Sequence, residues 1–177
     1  MNVLVINGSP RELSKTRGLA YIVKELLTQK GIEVSYFDVG EDMLPLFNGN
    51  VEQKFTEAYK KLDTLAKEAD AFFICTPEYH SAMSGALKNT FDFLDSTYFS
   101  GKFVGIGAVA GGGKGGINAL NNLRTVLRAF YAIVLPNQIV CDDADFSTTG
   151  HLVNKENIKR VNSIIEHLIV TKKNISI

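Results

Sequence analysis

The sequence predicts a doubly wound α/β fold: a five-stranded parallel sheet in the order 2-1-3-4-5, with helices on both faces. Three observations predict it. Short apolar runs rich in β-branched residues recur along the chain, each is followed by a segment with apolar residues at helical spacing, and each connection is long enough for a right-handed crossover. A length of 177 residues suits one domain with one core, so residues 1–177 are read as a single domain.

The elements follow in order. Residues 3–6 (VLVI) form a continuous apolar run, as expected of a strand buried on both faces of a parallel sheet. Residues 16–29 place Leu19, Ile22, Val23, Leu26 and Leu27 at helical spacing, and Gly31 stops that helix. Residues 32–37 (IEVSYF) are the second strand, and residues 51–68, with Phe55, Tyr59, Leu62 and Leu65, the second helix. Residues 71–75 (AFFIC) are the third strand, and residues 84–95 put Leu87, Phe91 and Leu94 on one stripe. Residues 103–109 are the fourth strand and 117–130 the fourth helix. Residues 132–140 contain the fifth strand, broken or ended near Pro136. Residues 154–170 are the last helix; the tail TKKNISI is expected to be less ordered, and residues 142–152 to be the longest loop. Alternation of this kind in a chain of this length favours the flavodoxin-like strand order.

Composition excludes several classes. Apolar residues make up 45% and charged residues 21%; Lys plus Arg (19) balances Asp plus Glu (19). A formal charge of zero gives no reason to expect nucleic acid or an anionic membrane as partner. No stretch approaches the ~18 continuous apolar residues of a membrane span. The N-terminus lacks the charged opening and long apolar run of a signal peptide. Cys75 and Cys141 fit no zinc or CxxC spacing, and are read as reduced, buried thiols of a cytoplasmic protein. No metal site is expected.

In such sheets ligands bind beyond the carboxyl ends of the strands, at the switch point between strands 1 and 3. The loops after strands 1, 3 and 4 are NGSPRELSKT, TPEYH and AGGGKGG, and the fold brings all three to that edge. In the first, Ser9, Ser14 and Thr16 supply hydroxyls and Arg11 a fork of donors, next to the free N–H groups of a helix start. With one glycine and neither GxGxxG nor GK[ST], this loop suits the terminal phosphate of a mononucleotide better than a pyrophosphate. An ordinary helix cap, with Ser14 as N-cap and Arg11 in solvent, is the competing reading. In TPEYH, Pro77 is rigid and Tyr79 aromatic, a surface against which a flat heterocycle packs. Glu78 either caps the next helix or accepts from a ligand N–H; His80 is either a proton donor or a packing or capping residue. Five glycines in AGGGKGG imply backbone shapes or approaches that side chains would block, with Lys114 adding positive field; a mobile connector is the competing reading.

GSPRELSKT, TPEYHSAMSGALKNTFDFLD and the Gly-rich loop followed by LNNLRTVLRAF resemble the NADPH-dependent FMN reductase family, which includes azobenzene, quinone and chromate reductases. The resemblance runs over residues 2–140. It implies noncovalent FMN, with its phosphate on Ser9, Arg11, Ser14, Lys15 and Thr16. The flavin ring would lie against Pro77, Glu78, Tyr79 and His80, with Gly111, Gly112 and Gly113 at another edge. Many family members have Asn in place of His80. Lys88, Asn89 and Asp92 match the family's helix signature in a structural role.

The implied activity passes hydride from NADPH or NADH through FMN to a small-molecule acceptor such as a quinone, an azo compound or a flavin. The cofactor carries the chemistry and no side chain is assigned as catalytic. The family commonly forms homodimers or homotetramers. An apolar stretch of Phe91, Phe93, Leu94, Tyr98 and Phe99, more than one helix face needs, is read as covering either the flavin edge or a partner subunit. The alternatives are a flavodoxin-type electron carrier without NAD(P)H activity, which neutral charge and the SPRxxSxT loop oppose, and a flavin-free binding protein on the same fold.

Overall fold

A computed structural model describes residues 1–113 and 115–174. Lys114 and the last three residues of the tail lie outside the described residues. The sheet comprises β1 (Asn2–Asn7), β2 (Glu33–Asp38), β3 (Ala71–Pro77), β4 (Phe103–Ala110) and β5 (Ile133–Asp142), all parallel and ordered β2-β1-β3-β4-β5. Every residue of β1, β3 and β4 is buried, because helices cover both faces. Alternate side chains go to opposite layers. Leu4, Ile6, Phe72 and Ile74 pack with Leu62 of α2 (Glu57–Glu68), Leu87 and Phe91 of α3 (Gly85–Asp92), and Leu123 of α5 (Ile117–Ala129). Val3, Val5, Phe73 and Cys75 pack with Leu19, Val23 and Leu27 of α1 (Lys15–Gln29), and with Ile164, Ile165 and Leu168 of α6 (Lys155–Asn174). Cys75 and Cys141 are both free and buried.

Four elements differ from the sequence expectation. The single helix over 51–68 is a 3-10 turn (Val51–Phe55) followed by α2; Thr56 is extended, and its hydroxyl caps α2 by accepting from Tyr59 N at 3.3 Å. Phe55 is consequently exposed rather than on the buried stripe. The helix over 84–95 ends at Asp92, and Asp95 starts α4 (Ser96–Phe99) by accepting from Thr97 N at 2.8 Å. Strand β5 is not ended by Pro136. It bulges there, between the Val104–Val134 and Ile106–Gln138 pairs, and Arg124 donates to the freed Leu135 carbonyl at 2.8 Å. The tail expected to be less ordered continues α6 as far as Asn174.

The apolar stretch after α3 also differs. Phe91, Phe93, Leu94, Tyr98 and Phe99 are all buried within the chain. Phe99 lies against Phe72 at 4.5 Å and stacks on Phe130 at 5.2 Å, and Phe93 meets Tyr59 at 5.9 Å. These five residues fill the core and present no apolar strip of their own to a partner.

Candidate flavin site

The loops after β1, β3 and β4 meet at the carboxyl edge of the sheet, where they line a cavity of about 390 Å³. Ser9, Arg11, Ser14, Lys15, Thr16, Pro77, Glu78, Tyr79 and Gly111 face it. His80, Gly112 and Gly113 are not among its walls. Leu13, Val109, Ala110 and Asp143 are, and the sequence reading had assigned them no part.

The first loop is pinned on three sides. Gly8 donates to the Cys75 carbonyl at 2.8 Å, and any Cβ there would stand 2.7 Å from that oxygen and 2.8 Å from Leu87, so the approach to β3 requires glycine. Buried Asn7 donates to the Ser9 carbonyl at 3.2 Å and accepts from Ser9 N at 3.2 Å. Ser84 caps α3, accepting from Leu87 N at 3.0 Å, and its hydroxyl donates to the Gly8 carbonyl, tying the first loop to the segment after β3.

Ser14 is the N-cap of α1, as the competing reading held; its hydroxyl accepts from Arg17 N at 3.3 Å. The cap leaves the N–H groups of Lys15 and Thr16 without intrahelical partners at the positive end of the helix. The Arg11 guanidinium is exposed and makes no hydrogen bond or ion pair among the described residues. Lys15 instead pairs with Asp143, just beyond β5, at 3.0 Å.

On the second loop, Glu78 resolves toward the capping alternative, though for a different helix from the one that follows it. Its carboxylate accepts from Ala119 N at 2.9 Å, in the first turn of α5. Tyr79 and Ala82 exchange hydrogen bonds of 2.9 and 3.1 Å around His80 and Ser81, whose φ angles are +49° and +64°. Such a tight turn needs left-handed residues, which is what His80 supplies, and an asparagine supplies the same. Tyr79 borders the cavity, and its hydroxyl is buried without a hydrogen-bond partner among the described residues. In the third loop Gly112, Gly113, Gly115 and Gly116 all have positive φ, and Gly113 N donates to Asp142.

Behind the first loop stands a charged network. Arg17 donates to both carboxylate oxygens of fully buried Asp38, at 2.7 and 3.0 Å. Asp38 accepts further bonds from Asn7 at 2.9 Å, Tyr36 at 3.0 Å and Gly40 N at 2.9 Å. Burial alone would raise the Asp38 carboxyl, but the bonds from Arg17, Gly40 and Asn7 outweigh it and hold it below the usual carboxylate range.

The chemistry of these features matches what a flavin mononucleotide presents, a phosphate and a flat ring. The walls of the cavity carry the exposed Arg11 guanidinium, the hydroxyls of Ser9, Ser14 and Thr16 and the first N–H groups of α1, a donor set suited to a phosphate. Pro77, Tyr79 and Val109 add apolar and aromatic surface to the same walls, and a volume of this order is typical of small-molecule sites.

The sequence model of the NADPH-dependent FMN reductase family matches residues 1–146. The chain belongs to that family. It is similar to the NADPH azoreductase of Bacillus sp. (strain OY1-2), 49% identical over 80% of this chain and 77% of that one. It is also similar to the FMN-dependent NADPH-azoreductase of Staphylococcus saprophyticus subsp. saprophyticus, 32% identical over 98% of this chain and 96% of that one. Among solved structures, FerB, a flavoenzyme NAD(P)H:(acceptor) oxidoreductase from Paracoccus denitrificans, superposes with a TM-score of 0.76 at 19% identity, covering 98% of this chain and 97% of that one. At that identity the likeness concerns the fold. Family membership makes this chain an NAD(P)H-dependent oxidoreductase with FMN as its cofactor. No described helix is long and apolar enough to cross a membrane.

Proposed function

We propose that the chain is an FMN-dependent NADPH oxidoreductase that reduces azo compounds, quinones or similar small acceptors. The carrying observation is that the walls of the cavity at the β1/β3 switch point combine the anion donors Ser9, Arg11, Ser14 and Thr16 with Pro77 and Tyr79. NADPH, rather than NADH, is the donor named for both azoreductases described above.

In this reading Ser9, Arg11, Ser14 and Thr16, with the N–H groups that open α1, hold the phosphate of FMN. Lys15, already paired with Asp143, adds charge from the rim. Pro77, Glu78 and Tyr79 border the ring. Gly111, Gly112 and Gly113 shape the neighbouring edge, and His80 holds the turn that presents Tyr79. FMN, when bound, supplies two-electron chemistry between NADPH and the acceptor, and the protein positions it. An electron carrier of the same fold would bind FMN but would not oxidise NADPH. Steady-state NADPH oxidation with menadione or an azo dye separates the two, and turnover above the cofactor-free background is expected. A protein that retains FMN yet gives no turnover with any such acceptor is an electron carrier instead.

A cytoplasmic home and a homodimer or homotetramer belong to the same reading. Two free, buried thiols suit a reducing compartment; recovery in a membrane or secreted fraction would contradict this. Met43, Leu46, Val51 and Phe55 are exposed apolar residues of one connecting segment, which a second copy would cover. A monomeric mass by light scattering at micromolar concentration would rule that out.

A further inference from the structure

We propose that Arg17 is a positioning residue for the phosphate end of the flavin site, acting from behind the loop that binds it. The proposal rests on the FMN reading above. Arg17 is not a wall of the 390 Å³ cavity; it lines an adjoining hollow of about 230 Å³ with Tyr21, Gly150 and His151, and the two share Leu13, Ser14 and Lys15. Yet its guanidinium is almost fully committed. Two nitrogens hold Asp38, and the third donates to the main-chain carbonyls of Arg11, at 3.0 Å, and Glu12.

Those two carbonyls belong to the loop that carries the phosphate donors. A peptide unit is planar and trans, so a carbonyl turned toward Arg17 sends the N–H of the next residue the opposite way. Arg17 thus fixes the orientation of the Arg11–Glu12 and Glu12–Leu13 peptides, and with it where Arg11 stands. Asp38 roots the device. Besides Arg17 it holds Asn7, whose amide grips both the N–H and the carbonyl of Ser9. One buried carboxylate at the end of β2 therefore holds the phosphate loop at two points, Ser9 directly through Asn7 and residues 11–12 through Arg17. The Arg17 side chain is 13% exposed and that of Asp38 1%, so solvent screens this pair little. A lysine cannot replace this arrangement, since an ammonium lacks the planar fork that spans a carboxylate and two carbonyls at once.

The test compares FMN with riboflavin, which shares every ring contact and lacks the phosphate. Dissociation constants of the apoprotein for each are measured by quenching of flavin fluorescence. In the wild type FMN binds more tightly than riboflavin; a wild type that binds neither overturns the FMN reading rather than the role of Arg17. Arg17→Lys is expected to weaken FMN by at least about tenfold while riboflavin changes less than about twofold. Asp38→Asn, nearly isosteric, is expected to move the same ratio in the same direction, and it carries the test if Arg17→Lys does not fold. The double variant should be no worse than Arg17→Lys alone, because both act through one chain of bonds. Equal losses for FMN and riboflavin would reduce Arg17 to general support of the fold. Unchanged FMN binding in the folded variants would remove it from the site altogether.

Discussion

Arg11 stands at the rim of the cavity with its guanidinium uncommitted, whereas the neighbouring Lys15 is already answered by Asp143. That difference is why Arg11 is proposed as the chief phosphate ligand among the side chains. Arg11→Ala should weaken FMN by about 1.5–3 kcal/mol, the scale of a charge-assisted hydrogen bond, and leave riboflavin nearly unchanged. Isothermal titration with both flavins checks this; equal losses would remove Arg11 from the phosphate. That Ser9, Arg11, Ser14, Lys15 and Thr16 line the cavity was legible because the signal is local: hydroxyls and an arginine precede a helix start after a buried strand. Asp143 was not legible in that way. It reaches the cavity only because β5 ends beside β4, and its own surroundings, CDDAD, read as a loop. Asn7, Arg17 and Asp38 escaped for a similar reason. Their roles come from bonds across 21 and 31 positions of chain, which no local spacing announces.

At the scale of elements, the site depends on how the β1 and β3 loops are joined. Ser84 is completely buried and has two tasks, capping α3 and donating to the Gly8 carbonyl. Ser84→Ala removes the cap and strands a buried carbonyl, so a loss of about 1–3 kcal/mol is expected in urea unfolding, with weaker FMN binding alongside. A variant as stable as the wild type would show that the junction is held by other contacts. The strands and helices were legible because their periods are strong: VLVI and AFFIC must be buried on both faces, and α1 and α6 carry clean apolar stripes. The breaks were less so. Capping by Thr56 and Asp95 overrides an apolar spacing that runs on through residues 51–68 and 84–95. The bulge at Pro136 needs Arg124, on another element, to satisfy the freed carbonyl. Asn89, from the helix signature, likewise works at a distance, donating to the Pro45 carbonyl and accepting from Phe47 N at 2.9 and 2.8 Å.

For the molecule as a whole, the fold makes a binding edge by parallel arrangement alone. All five strands end on the same side, and the switch between β1 and β3 opens a gap there. The Asp38 network is part of what stabilises that edge, and it gives stability a sign with pH. Unfolded, an aspartate titrates near its ordinary value of about 3.9. Folded, Asp38 titrates lower, so its contribution is fully present above the unfolded value and is lost as pH falls through the folded one. The gap in stability between the wild type and Asp38→Asn, read from urea midpoints, should hold constant from about pH 7 to pH 5 and close below about pH 4. A gap that closes between pH 7 and 5 would mean another group controls it.

The central claim is that this edge holds FMN where NADPH can reduce it. Anaerobic titration of the FMN-loaded protein with NADPH, followed by absorbance, tests it most directly. The account predicts that the oxidised flavin bands near 450 nm bleach with about one equivalent of NADPH and return on adding a quinone, as expected of two-electron exchange through a bound cofactor. Bound flavin that keeps its oxidised spectrum in excess NADPH would contradict the account.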